Sequence, residues 1–120
     1  MGDKLMYEIH GKKLIAVAGK DVFNKSFINV VNKEIMDRGL MLIGININED
    51  DFNFFISNLA KSKVEVTIFM PEFQKEAAKY FDIDGFLLMS YKNGKKLEHV
   101  SSQNIENVDD IKLLELVNMI

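Results

Sequence analysis

Three spacings of apolar and polar residues succeed one another along this chain, and each marks a kind of element. Leu14-Ile15-Ala16-Val17-Ala18-Gly19 is an unbroken apolar run that reads as a buried strand. Together with Lys4 to Ile9 and the turn His10-Gly11-Lys12, it predicts a short hairpin whose second arm is Lys13 to Ala18. The loop Lys20 to Ser26 follows. Phe27, Ile28, Val31 and Ile35 then recur at helical spacing, with Asn24 or Ser26 placed to cap a helix that runs to about Arg38 and stops at Gly39. Leu40-Met41-Leu42-Ile43-Gly44-Ile45 has the continuous apolar character of a strand covered on both faces.

The second half repeats the alternation. Asn48-Glu49-Asp50-Asp51 sets carboxylates where a helix dipole favours them, and Phe52, Phe55, Ile56 and Leu59 line one face of the helix that follows, with Phe54 pointing off it. Val64, Val66 and Ile68 alternate with polar partners between Lys63 and Phe69, a strand period. Pro71 suits the first turn of a third helix reaching about Phe81. Phe86 to Tyr91 and Lys96 to Val100 flank Lys92-Asn93-Gly94-Lys95, a hairpin signal, and Val108 to Met119 reads as a last helix with Asp109 and Asp110 in its first turn. The order β-β-α-β-α-β-α-β-β-α predicts one α/β domain over residues 1–120, a mainly parallel sheet flanked by helices with the hairpin strands at an edge or end.

Composition narrows the function classes. With 120 residues, 48% apolar and 28% charged, the chain has the material for one packed core. A net charge of −3 and no basic run longer than a pair such as Lys12-Lys13 argue against a nucleic-acid surface. There is no cysteine, so disulfides, thiol nucleophiles and thiolate metal sites are excluded. No stretch approaches the ~20 apolar residues of a membrane span, and Met1 to Lys13 is too polar for a signal peptide, so a cytoplasmic location is expected.

Several short constellations have simpler explanations than chemistry. Gly19-Lys20 lacks the earlier glycine and the following Ser/Thr of a phosphate loop and reads as a turn, as does Asp82-Ile83-Asp84-Gly85, which lacks the remaining ligands of a calcium loop. His10 and His99 have no third ligand at metal spacing, and Ser101-Ser102 beside His99 lacks the elbow and acid of a nucleophile. Glu49-Asp50-Asp51 and Asp109-Asp110 are helix-start charges. No metal, cofactor or catalytic residue is expected.

A family resemblance rests on order and spacing. The strand ending in Gly19, the loop with Asn24-Lys25-Ser26-Phe27 and the later strand Glu65-Val66-Thr67-Ile68-Phe69-Met70-Pro71 resemble the substrate-binding N-terminal domain of shikimate dehydrogenases, over roughly Leu14 to Gln103. That family carries Ser-x-Ser-Pro in the loop and Asn-Val-Thr-Ile/Val-Pro-x-Lys in the later strand. The resemblance implies binding of a small carboxylate by Asn24, Ser26 and Thr67. The catalytic Lys position holds Pro71, and Lys75 is a helical turn away, ~5 Å along the axis. The family's Gly-Ala-Val-Asn-Thr is Gly85-Phe86-Leu87-Leu88-Met89 here, and the Asp partner of the Lys becomes Ser102. No Gly-x-Gly-x-x-Gly follows a strand, so no nucleotide-binding half is recognisable. The chain is therefore expected not to catalyse hydride transfer alone.

Two functional expectations follow. One is a non-catalytic substrate-binding domain, holding a small carboxylate or forming part of a larger enzyme. The other is a protein-interaction or homodimerisation module whose ancestral pocket is filled by Leu87, Leu88, Phe69 and Met70. For the latter, the working surface is expected on the C-terminal helix, where Ile111, Leu113, Leu114, Leu116, Val117 and Ile120 spread over more than half the circumference. Such a wide apolar arc faces either a second subunit, a missing domain or deep internal burial.

Overall fold

A computed structural model describes residues 13–23, 25–93, 96–102 and 107–120, the last stretch of the hairpin by its backbone alone. Five strands form one sheet in the order β2-β1-β3-β4-β5: β1 (Lys13–Gly19), β2 (Leu40–Asn46), β3 (Val64–Phe69), β4 (Phe86–Asn93) and β5 (Lys96–Ser102). The three apolar strands β2, β1 and β3 are mutually parallel, and the hairpin β4–β5 adds antiparallel strands beyond β3. This is the mainly parallel α/β architecture expected from the residue pattern. The first arm of the N-terminal hairpin and His10 lie outside the described residues.

Among the described residues, four α-helices cover the sheet. Helices α1 (Ser26–Ile35) and α4 (Asp110–Asn118) pack on one face, burying Ile28, Val31, Ile35, Leu113, Leu116 and Val117 against Ile15, Val17, Leu42, Val66 and Ile68. Helices α2 (Phe52–Leu59) and α3 (Pro71–Tyr80) cover the other, where Phe52 stacks on Phe73 at 5.0 Å and tilts against Phe69 at 6.0 Å. Small Ala16 and Ala18 on β1 leave room for these rings. Two bulges explain why the apolar runs do not alternate cleanly. Leu14 and Ile15 pair with Val64 and Val66, and Leu87 and Met89 pair with Ser101 and Val100, so Glu65 and Leu88 are extra residues that shift which face follows.

Helix ends follow local chemistry, with one correction. Gly39 takes φ 69° after the single 3-10 turn Met36–Arg38 that prolongs α1, the left-handed stop that glycine allows. Pro71 occupies the first turn of α3, and the Asp109 side chain caps α4 by accepting from the Lys112 amide at 2.9 Å. At α1, however, the cap is Lys25 without a side-chain hydrogen bond, and Ser26 is already the first helical residue. The exposed edge at β2 is partly closed from within. Asn32 donates to the Leu42 carbonyl at 2.9 Å and accepts from the Leu42 amide at 2.7 Å, the two bonds a neighbouring strand would make there.

Candidate functional site

In open α/β sheets ligands bind outside the carboxyl ends of the strands, where the chain order reverses. Here that place lies between β1 and β3, since β1 connects to β2 on one side and β2 to β3 on the other. Its walls are Gly19 at the end of β1 with Lys20 after it, and Met70, Pro71 and Glu72 after β3.

Among the described residues, the chain's own groups bond and pack across these strand ends. The Met70 amide donates to the Ala18 carbonyl at 2.9 Å, drawing the two strand ends together. A methyl group on Gly19 would sit 2.8 Å from both Met70 Cγ and Val22 Cγ1 and 3.1 Å from Glu72 Oε2, so only glycine fits. The Lys20 amide, the first free donor past β1, gives its hydrogen to Glu72 Oε2 at 3.0 Å. A carboxylate thus occupies the crevice, at the first turn of α3 where the helix dipole favours it. The Lys20 ammonium pairs with Glu49, which raises the Lys20 pKa and lowers that of Glu49 through this hydrogen bond first and their charges second.

The loop after β1 is clamped from β2. Asn46 Oδ1 accepts from the Val22 amide at 2.8 Å and the Phe23 amide at 2.9 Å, and the Ile47 amide donates to the Gly19 carbonyl at 2.8 Å. A methyl on Gly44 would lie 3.0 Å from the Val22 carbonyl oxygen and 3.1 Å from Phe23 Cα, so glycine at the centre of β2 lets the loop lie flat. Val22 is buried as a result, and Phe23 stands exposed.

The three residues expected to hold a carboxylate are not assembled as one open pocket. Asn24 lies outside the described residues. Ser26 is exposed at the start of α1. Thr67 is 2% exposed inside β3, between Ala16 of β1 and Ser90 of β4, and shares a face with Phe69. Its two strand neighbours and the helices over the sheet leave almost none of it open to solvent. Of the four apolar side chains expected to fill the pocket, Met70 lies against Gly19 at the strand ends; Phe69, Leu87 and Leu88 belong to the two cores. Pro71 opens α3, and Lys75 is exposed one turn later.

Glu72 and Asn46 are the residues that sequence reasoning missed. The available signals were an acid next to the proline that starts a helix, and a lone polar residue closing an apolar strand. Among the described residues no group of His, Asp or Glu is placed to hold a metal ion, and no helix is long and apolar enough to cross a membrane.

Comparison with known proteins bears on the fold. No family model and no curated protein matches this sequence. Solved structures do match. Shikimate dehydrogenase 1 from Peptoclostridium difficile superposes with a TM-score of 0.63 at 9% identity over 74% of this chain and 37% of its own. The shikimate dehydrogenase from Aquifex aeolicus gives 0.61 at 14% identity over 73% and 36%, and a third, solved in complex with NADP+, gives 0.61 at 13% identity over 72% and 33%. The chain spans about a third of the length of these structures. At such identity the likeness establishes the fold: a single α/β domain built like part of a shikimate dehydrogenase.

Proposed function

We propose that this domain is a non-catalytic derivative of the shikimate dehydrogenase substrate-binding fold, and that it acts through its surface. The observation that carries this reading is the Glu72 carboxylate on the Lys20 amide, with Met70 and Val22 against Gly19. An incoming carboxylate would have to displace a tethered one that bonds the same donor without the entropy cost of association. Pro71 in place of the family's Lys supports the loss of chemistry, because proline has no group that titrates.

One observation favours a second reading, a domain that binds a small carboxylate at Asn24, Ser26 and Thr67. The N-terminus of α1 has no side-chain cap and Ser26 is exposed beside it. The buried position of Thr67 weighs against it.

Amide chemical shifts of isotope-labelled protein, followed during addition of shikimate to millimolar concentration, separate the two. Closure is expected to leave the spectrum unchanged. Saturable shifts around Lys20, Ser26 and Thr67 would make carboxylate binding the function.

A further inference from the structure

Helix α2 differs from the other α-helices among the described residues. Phe52–Leu59 contains no charged residue, whereas α1 has Lys33 and Glu34, α3 has Glu72, Lys75, Glu76 and Lys79, and α4 has Asp110, Lys112 and Glu115. Its outward positions are Asn53, Phe54, Ser57 and Asn58. Phe54 is 74% exposed, more than any other large apolar side chain described. Ser57 Oγ and Asn58 Nδ2 turn back and donate to the Phe54 carbonyl at 2.9 and 2.8 Å. Ser57 and Asn58 therefore each keep a bond when water leaves, which lowers the cost of covering this part of the face. An uncharged patch centred on an aromatic ring has the composition of an interface core.

Beside Phe54 runs a groove of about 330 Å³ between α2 and β2, with Ile45, Ile47, Phe55 and Leu59 among its lining. Protruding ring and apolar groove lie on one patch, as a two-fold contact between identical surfaces requires. Charge names the partner. Exposed Asp50 and Asp51 precede the helix, next to the Glu49 that pairs with Lys20, and exposed Lys61 and Lys63 follow it. A second α2 laid antiparallel sets each acidic end against a basic end, while a partner of uniform charge would be repelled at one of them. Asn32 already holds Leu42, which opposes strand addition at the β2 edge and directs a partner to the face.

We infer that the domain forms a two-fold dimer through α2, with Phe54 of each copy in the groove between α2 and β2 of the other. This names the surface and partner for the surface-acting role proposed above and rests on that reading.

Sedimentation equilibrium from micromolar to millimolar concentration tests it. The native chain is expected to dimerise, and Phe54→Glu to raise the dissociation constant at least ~30-fold, the effect of losing a central interface residue. The thermal unfolding of that variant's monomer should match that of the native chain. Lys61→Glu with Lys63→Glu should also weaken the dimer, and mixing that variant with an Asp50→Lys, Asp51→Lys variant should restore association. A native chain that stays monomeric overturns the inference. So does a dimer indifferent to Phe54→Glu but broken by Ile111→Asp, which would move the contact to α4. Shikimate titration of the same labelled sample reports separately on the closed crevice.

Discussion

At the carboxyl ends of β1 and β3 the groups that a ligand would meet are already bonded within the chain: the Lys20 amide to Glu72, and the Val22 and Phe23 amides to Asn46. On the outer face of α2 the opposite holds, and Phe54 stands in water beside an apolar groove. A small acid entering the first region must break protein bonds before it makes its own. A protein surface covering the second displaces water from apolar groups and from polar ones that keep a partner. On the proposed reading, a fold built around a crevice retains its architecture while the place of contact moves to a helix face.

The contrast depends first on α3 being seated firmly enough to present Glu72. Phe73 anchors that helix in the core below Phe52, and Phe73→Ala is expected to cost about 3–5 kcal/mol in urea unfolding. A loss under ~1 kcal/mol would mean a loose α3 and an open crevice. Next comes the loop clamp. Asn46→Ala leaves two amides without their acceptor and should destabilise by roughly 2 kcal/mol.

Gly19→Ala probes the crevice more finely. Its methyl overlaps Met70 and Val22, so a loss of about 1–3 kcal/mol is expected, partly recovered when Met70→Ala is added. Simple additivity of the two changes would show that Met70 does not fill the crevice. Ser26→Ala should alter stability by less than ~0.5 kcal/mol, since the hydroxyl caps nothing; a larger loss would reveal a bond that favours the carboxylate-binding reading.

The smallest effect is electrostatic. Glu49, lowered by Lys20, contributes stability that is present above its ordinary value of 4.5 and lost as pH falls through its lowered value. Lys20, raised by the same partner, contributes below its ordinary value of 10.5, and that contribution is lost as pH rises through the raised one. Comparing Glu49→Gln with the native chain across the acid range should show a slight narrowing of their difference toward low pH, weaker in salt because the pair is exposed.

The elements were legible because each writes its period locally: the apolar runs of β1 and β2, the 3.6-residue stripes of α1 and α2, Pro71 opening α3 and Gly39 closing the turn after α1. Phe54 was legible as a residue off the core face of α2. The bonds across the ends of β1 and β3 were not, because they join residues distant in sequence. Lys20 and Glu72 are 52 residues apart, and Val22 and Asn46 are 24 apart. The C-terminal helix was legible as broadly apolar, yet pattern alone left open what covers it. The fold buries Leu113, Leu116 and Val117 in the α1-side core and leaves Ile111 and Met119 exposed. The Val-Thr-Ile pattern of β3 points to Thr67, and the strand neighbours on both sides are what enclose it.

Hydrogen exchange at the Lys20 amide tests the closed crevice most directly, without any ligand. With Glu72 holding that amide, exchange should be markedly slower in the native chain than in Glu72→Ala, while amides in the centre of β1 exchange alike in both. Equal, rapid exchange of the Lys20 amide in the two proteins would contradict the account and leave the crevice open to a ligand.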